Sequence, residues 1–298
     1  MNSNSQQYTQ WQIWLLAARP KTLWAGIIPV LMGGAMAFDA SKFHVLAFCA
    51  ALAGSVFIQI VTNFANDLFD YLKQTYTQDR IGPMRVTQAG LVSPKKMKFA
   101  ILIIFGLAVL IGLYLVIRGG FPVLVIGILS LLFGILYTAG PYPLGYTGWA
   151  DVFVLLFFGP VAVAGTYYVN ALELNKMAIL AGVSAGMIST AILTVNNLRD
   201  YETDKKTGKR SLAVRFGKKF AKIEYLILLI GALFFPIFIS ITDPVHSPVL
   251  ISLLSIFMMI PSIKKVFLIE GPELNLVLAQ TGKALALFGI LFSIGWNL

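Results

Sequence analysis

The chain is dominated by apolar runs that approach the length needed to cross a lipid bilayer as a helix. Roughly 20 apolar residues span a hydrocarbon core of about 30 Å. Only 12% of the residues are charged, against about 25% in soluble domains. The sequence therefore predicts an all-α integral membrane protein, a single domain over residues 1–298 with nine transmembrane helices. The predicted spans are Thr22–Ala37, Phe43–Thr62, Phe99–Ile117, Phe121–Tyr137, Val152–Val169, Met177–Val195, Tyr225–Ile241, Val249–Ile263 and Ala284–Trp296.

The basic residues predict the orientation of these spans, because Lys and Arg accumulate in cytoplasmic loops. With a cytoplasmic N-terminus, all but three of the 23 Lys and Arg residues fall on the cytoplasmic side; the exceptions are Lys42, Arg118 and Lys176. The net charge of +10 then follows from topology, and no nucleic-acid partner is needed to explain it. Trp11 and Trp14 in segment 1–20 predict a helix that lies on the membrane surface before the first span.

Polar side chains crowd the end of the second predicted span, within a segment that we take as 63–85. They are Asn63, Asn66, Asp67 and Asp70. On a helix, spacings of four and seven residues place these groups on one face. Two carboxylates about 5 Å apart repel by roughly 3 kcal/mol at an effective dielectric near 20. Mg²⁺ prefers such oxygen ligands and commonly shares them with phosphates. The segment therefore predicts a Mg²⁺ site, and Arg80 and Arg85 are predicted to bind phosphate groups.

A second polar cluster, in segment 196–215, closes the sixth predicted span. Asn196, Asp200 and Asp204 are spaced by four residues, and Lys205, Lys206, Lys209 and Arg210 follow. A helix end is often simply polar, but a matched pair of clusters indicates an internal duplication with two pseudo-repeats. The pair predicts one metal and phosphate site on the cytoplasmic side. Lys209 is the candidate phosphate contact, although basic residues near the membrane surface often only meet anionic lipid.

An aromatic segment rich in Gly and Pro, 137–151, follows the fourth predicted span. One explanation is an interfacial aromatic belt. The other is a rigid wall that stacks an aromatic acceptor or faces a developing cation, with Tyr137 and Asp151 as the candidate catalytic residues. The two explanations have equal support from the residues.

Four motifs together resemble the UbiA superfamily of intramembrane aromatic prenyltransferases. They read NFANDLFD with DRIGPMR, YTAGPYPLGYTG, FFGPVAVAGTYYV and NNLRDYETDKKTGKRSLAVRFG. Within the superfamily they are most similar to the branch that prenylates 1,4-dihydroxy-2-naphthoate for menaquinone synthesis. The resemblance implies nine helices, transfer from a polyprenyl diphosphate, and release of the ring carboxylate as CO₂. It also implies that Mg²⁺ is bound by Asn66, Asp67, Asp70, Asp200 and Asp204. Arg85 and Lys209 are then implied to bind the diphosphate.

The chain departs from the superfamily in its first motif. The pattern N-x₃-D-x₃-D would place an acid where this chain has Gln74, so Asp67 or Asp79 is expected to supply that charge. The sequence DRIGPMR argues against 4-hydroxybenzoate, which remains the alternative acceptor. A cation-coupled transporter is the alternative from another class, although it would place its polar groups near the bilayer midplane. We expect a multi-pass protein of the cell membrane, with its active site facing the cytoplasm.

Overall fold

The computed structural model describes residues 8–73, 82, 84–140 and 142–298, and all secondary structure in these ranges is helical. The N-terminal half contains α1 (Gln10–Ala18), α2 (Pro20–Asp39), α3 (Val45–Leu72), α4 (Pro94–Gly119), α5 (Phe121–Leu136), α6 (Leu144–Thr147), α7 (Ala150–Phe157) and α8 (Pro160–Ala171). The C-terminal half contains α9 (Lys176–Arg199), α10 (Tyr201–Lys206), α11 (Leu212–Phe216), α12 (Lys218–Thr242), a 3₁₀ segment (Pro244–Ser255), α13 (Ile256–Leu268), a short 3₁₀ turn (Gly271–Glu273) and α14 (Leu274–Trp296).

Eight of these helical segments are long and apolar enough to cross a membrane. They are Pro20–Asp39, Val45–Leu72, Pro94–Gly119, Ala150–Ala171, Lys176–Arg199, Lys218–Thr242, Pro244–Leu268 and Gly271–Trp296. The remaining predicted span, Phe121–Tyr137, corresponds to α5, an apolar helix of 16 residues. The all-helical membrane architecture is confirmed, whereas nine crossings and a cytoplasmic N-terminus stay predictions.

Two predicted spans differ from the observed helices for identifiable reasons. The span Val152–Val169 is broken between α7 and α8 at Gly159, where an added Cβ would lie 2.4 Å from the Leu155 carbonyl oxygen. The last span begins ten residues before the predicted Ala284, so Lys283 lies inside α14 rather than in a loop. Polar residues in the first half of α14 lower its apparent hydropathy, and Asn275, Gln280 and Thr281 among them form hydrogen bonds to other helices. The Thr281 hydroxyl, for example, lies 2.7 Å from the Tyr225 hydroxyl.

Helix α9 lies at the centre of the bundle, where it packs against α2, α7, α8, α12 and α14. Small residues make this close packing possible. At Gly186, for instance, an added Cβ would lie 2.2 Å from the Leu155 carbonyl oxygen. The C-terminal ends of α3 and α9 lie at the same end of the bundle, because Asp70 and Asp200 at these ends line one cavity. These ends carry the two polar clusters.

Candidate active site

Both polar clusters open into one cavity of about 1800 Å³. This volume exceeds the roughly 300–1,000 Å³ of most small-molecule sites. The cavity is mostly apolar, and Phe133, Phe153 and Phe157 form one aromatic part of its wall. Its polar lining is concentrated where α3 and α9 end, and includes Asn66, Asp70, Arg85, Asn196, Asp200, Asp204 and Lys209. The arrangement suits a ligand with an anionic head and a long apolar tail.

In the first motif, Asp70 and Asn66 are held by residues from outside α3. Nη2 of Arg85 donates to Asp70 Oδ2 at 2.5 Å, and both side chains are more than nine-tenths buried. The Tyr146 hydroxyl donates to Asp70 Oδ1 at 3.2 Å. The Thr138 hydroxyl donates to Asn66 Oδ1. These hydrogen bonds orient the side chains of Asp70 and Asn66, whose polar atoms would otherwise be buried without a partner.

Asp67 has a different environment from Asp70. Its two carboxylate oxygens accept hydrogen bonds from the backbone N–H groups of Val86 and Thr87, each at 2.9 Å. It is absent from the cavity lining. Asn63 lines the cavity but donates to the Ala18 carbonyl oxygen at 2.9 Å. The polar groups predicted to share one helix face therefore have separate partners, and a metal-binding role for Asp67 stays a prediction.

In the second motif, Arg199 organises the oxygen ligands. It donates to both carboxylate oxygens of Asp200, at 2.8 and 2.7 Å. It also donates to Asn196 Oδ1 at 2.8 Å and to Asn275 Oδ1 at 2.9 Å. Arg199 was not among the predicted site residues. Its position directly before Asp200 was the available signal, because a buried carboxylate needs a cationic partner.

Asp204 completes the second cluster from the short helix α10. Lys209 Nζ lies 3.4 Å from Asp204 Oδ1. Burial raises the pKa of Asp204 to about 6, although the neighbouring Lys209 ammonium acts in the opposite direction. The Asp200 and Asp70 carboxylates add to the rise. The two motifs thus bring Asp70, Asp200 and Asp204 together around one cavity, each paired with a cation of the chain.

The two aromatic-segment candidates occupy different positions. Tyr137 lines the cavity, and burial raises the pKa of its hydroxyl, with further contributions from Asp151, Asp204 and Asp70. Asp151 is 5% exposed and absent from the lining. Neither of its carboxylate oxygens has a hydrogen-bond partner within the part of the chain that the structure describes. Tyr137 therefore lines the cavity, whereas Asp151 does not.

Among the predicted phosphate-binding residues, Arg85 has unused hydrogen-bonding capacity. Its Nε and Nη1 atoms are buried and have no hydrogen-bond partner among the described residues. Arg80, Gln74 and Asp79 lie outside the described residues. Within those ranges, no three His, Cys, Asp or Glu side chains are grouped closely enough to hold a metal ion. A cation here would need further ligands, such as the amide oxygens of the motifs or phosphate oxygens.

Comparison with known proteins shows the family of the chain. Residues 26–273 match the model of the UbiA prenyltransferase family. The chain belongs to this family. A 1,4-dihydroxy-2-naphthoate octaprenyltransferase of Haemophilus influenzae is 32% identical over 99% of both chains. The protein of that name from Escherichia coli is 39% identical over 76% of both chains. The resemblance inferred from the four motifs is confirmed.

The fold of the family is also seen in solved structures. A UbiA homologue from Archaeoglobus fulgidus, bound to GPP and Mg²⁺, is 17% identical to this UbiA-family chain. It superposes with a TM-score of 0.69, covering 96% of this chain and 100% of the homologue. At this level of identity the comparison establishes a shared fold.

Proposed function

We propose that this UbiA-family protein transfers a polyprenyl group from a polyprenyl diphosphate to 1,4-dihydroxy-2-naphthoate, as a step of menaquinone synthesis. The observation that carries the proposal is the cavity, which joins a cation-lined polar end to a large apolar interior. In the reaction the allylic C–O bond to diphosphate breaks, and a bond forms between the allylic carbon and the naphthalene ring. The ring carboxylate leaves as CO₂. The octaprenyltransferases of H. influenzae and E. coli support this acceptor.

The residues at the polar end fit a Mg²⁺ ion held together with the diphosphate. They offer carboxylate and amide oxygens, the ligand type that Mg²⁺ prefers. Asn66, Asp70, Asn196, Asp200 and Asp204 line the same end of the cavity. The proposed ligands are Asn66, Asp67, Asp70, Asn196, Asp200 and Asp204. When bound, the ion would neutralise charge that develops on the leaving diphosphate.

The cations and aromatic rings of the protein would perform the remaining tasks. Arg85 and Lys209 are placed to bind phosphate oxygens and to stabilise the leaving group. Phe133 and Phe153, whose ring centroids are 4.3 Å apart, belong to a wall that excludes water from the allylic cation. Tyr137, which lines the cavity, is proposed to face the acceptor ring. Asp151 is proposed to add negative charge near the developing cation.

The proposal predicts a Mg²⁺-dependent reaction with a specific acceptor. Purified protein in detergent should release CO₂ from 1,4-dihydroxy-2-naphthoate and form the prenylated product when supplied with a prenyl diphosphate. Several chain lengths should be compared by chromatography. EDTA should abolish turnover and Mg²⁺ should restore it, because the diphosphate is otherwise a poor leaving group. Full activity in EDTA, or a preference for 4-hydroxybenzoate, would contradict the proposal.

We also propose that the polar end of the cavity faces the cytoplasm, because most basic residues lie at that end. Thr207 follows α10 at the polar end, and Ser247 lies in the 3₁₀ segment at the opposite end; both are exposed. In a Cys49→Ala background, Thr207→Cys should react with a membrane-impermeant maleimide only in inverted vesicles. Ser247→Cys should react in intact cells. Labelling of both positions from one side would refute this topology.

A further inference from the structure

Tyr146 contacts both Asp-containing motifs, although Tyr137 was the only tyrosine of segment 137–151 predicted to be catalytic. It lies in the four-residue helix α6 between α5 and α7. Its hydroxyl donates to Asp70 Oδ1 at 3.2 Å, which connects it to the first motif. The ammonium of Lys209, from the second motif, lies 4.8 Å from its ring centroid. Its carbonyl oxygen accepts a hydrogen bond from Arg210 N at 2.9 Å.

The Lys73 ammonium and the Thr138 hydroxyl make further contacts around Tyr146 and the first motif. Lys73 Nζ, at the end of α3, lies 5.0 Å from the Tyr146 ring centroid. The same ammonium donates to the Thr138 carbonyl oxygen at 2.7 Å, while the Thr138 hydroxyl donates to Asn66. Segment 137–148 therefore supplies one hydroxyl to each of Asn66 and Asp70. These residues are two of the oxygen ligands proposed in the first motif.

We infer that Tyr146 is a positioning residue, which fixes Asp70 and Lys209 relative to each other so that both face one Mg²⁺–diphosphate. The inference rests on the proposed function, because that ligand is the one the two motifs would share. A continuous series of contacts runs from Asp70 through Tyr146 and Lys209 to Asp204, with separations of 3.2, 4.8 and 3.4 Å.

The hydroxyl and the ring of Tyr146 would contribute separately. A hydrogen bond to a carboxylate ligand leaves a lone pair for the metal and fixes the direction of that lone pair. Loss of such an outer partner typically costs about 10–100-fold in metal affinity. The ring attracts the Lys209 ammonium through its negative face. Tyr146→Phe removes only the first contribution, whereas Tyr146→Leu removes both.

The experiment measures ligand binding without turnover. Wild-type protein and variants in nanodiscs are titrated with Mg²⁺ in the presence of geranyl S-thiolodiphosphate, and binding of the thiolodiphosphate is followed by calorimetry. Tyr146→Phe is expected to raise the Mg²⁺ concentration at half-saturation by about tenfold. The melting temperature without ligand should be unchanged, and excess Mg²⁺ should restore kcat. Tyr142→Phe, in the same segment and 82% exposed, is the matched control and should behave as wild type.

Two outcomes would overturn the inference. One is a Tyr146→Phe half-saturation within twofold of the Tyr142→Phe value. The other is a Tyr146→Leu protein that is folded and binds with wild-type affinity; if Tyr146→Leu fails to fold, Tyr146→Phe still decides. A wild-type protein that shows the expected Mg²⁺ titration but does not prenylate 1,4-dihydroxy-2-naphthoate would refute the proposed acceptor. The shift in Tyr146→Phe would still support the positioning role in that case.

Discussion

Asp200→Asn is expected to lower kcat/KM for prenyl transfer by at least about 100-fold, and Asp70→Asn is expected to do the same. Removal of one preorganised charge stabiliser from an active site has this order of effect. Each substitution keeps the size of the side chain but removes a negative charge proposed to hold Mg²⁺. It also leaves a buried guanidinium without its carboxylate, since Arg199 pairs with Asp200 and Arg85 pairs with Asp70.

The unpaired guanidinium could itself destabilise the fold, because breaking a buried ion pair costs about 3–5 kcal/mol. Rates must therefore be measured on protein shown to be folded by size-exclusion chromatography and thermal melting. Glu202→Gln is the matched control, since Glu202 follows Asp200 closely but its side chain is 62% exposed and pairs with Lys218 at the surface. Surface pairs contribute little, so this variant should retain activity. An Asp200→Asn enzyme with near-normal rates would refute the site assignment.

The sequence allowed the membrane architecture and the two clusters to be predicted because both depend on local patterns. Apolar runs of a given length identify spans without reference to tertiary structure. The spacing of Asn66, Asp70, Asp200 and Asp204 at helix ends likewise identified groups that line the cavity. Helical spacing could not predict the hydrogen-bond partners of Asp67. These are backbone N–H groups of a loop about twenty residues later in the chain.

The contacts that join the two motifs were not predictable, because they connect segments far apart in sequence. Tyr146 and Asp70 are 76 residues apart, as are Arg199 and Asn275. No spacing rule relates such positions. The aromatic segment was predicted as a possible cavity wall, and Tyr137, one of its two candidate residues, lines the cavity. The polar contacts of Thr138 and Tyr146 required the three-dimensional structure.

Arg85→Gln is expected to reduce kcat/KM by at least about 100-fold, mostly through a higher KM for the prenyl diphosphate. Arg85 is 7% exposed, and only Nη2 of its guanidinium contacts Asp70. Its buried Nε and Nη1 atoms have no hydrogen-bond partner among the described residues. Unpaired buried donors are costly, and a phosphate oxygen that accepts a hydrogen bond from Nε or Nη1 would satisfy one of them.

Arg85→Lys separates charge from geometry. If positive charge alone were required, Arg85→Lys would have wild-type activity. We propose that the guanidinium contacts Asp70 and phosphate simultaneously, which an ammonium cannot do in the same geometry. The kcat/KM of Arg85→Lys should therefore remain about tenfold or more below wild type. Lys96→Gln, which removes an exposed charge at the start of α4, controls for general electrostatic attraction of the substrate and should have a small effect. Initial rates at varied diphosphate concentration give KM and kcat for each variant. Wild-type KM in Arg85→Lys would show that Arg85 acts as a point charge, and wild-type KM in Arg85→Gln would exclude it from the diphosphate site.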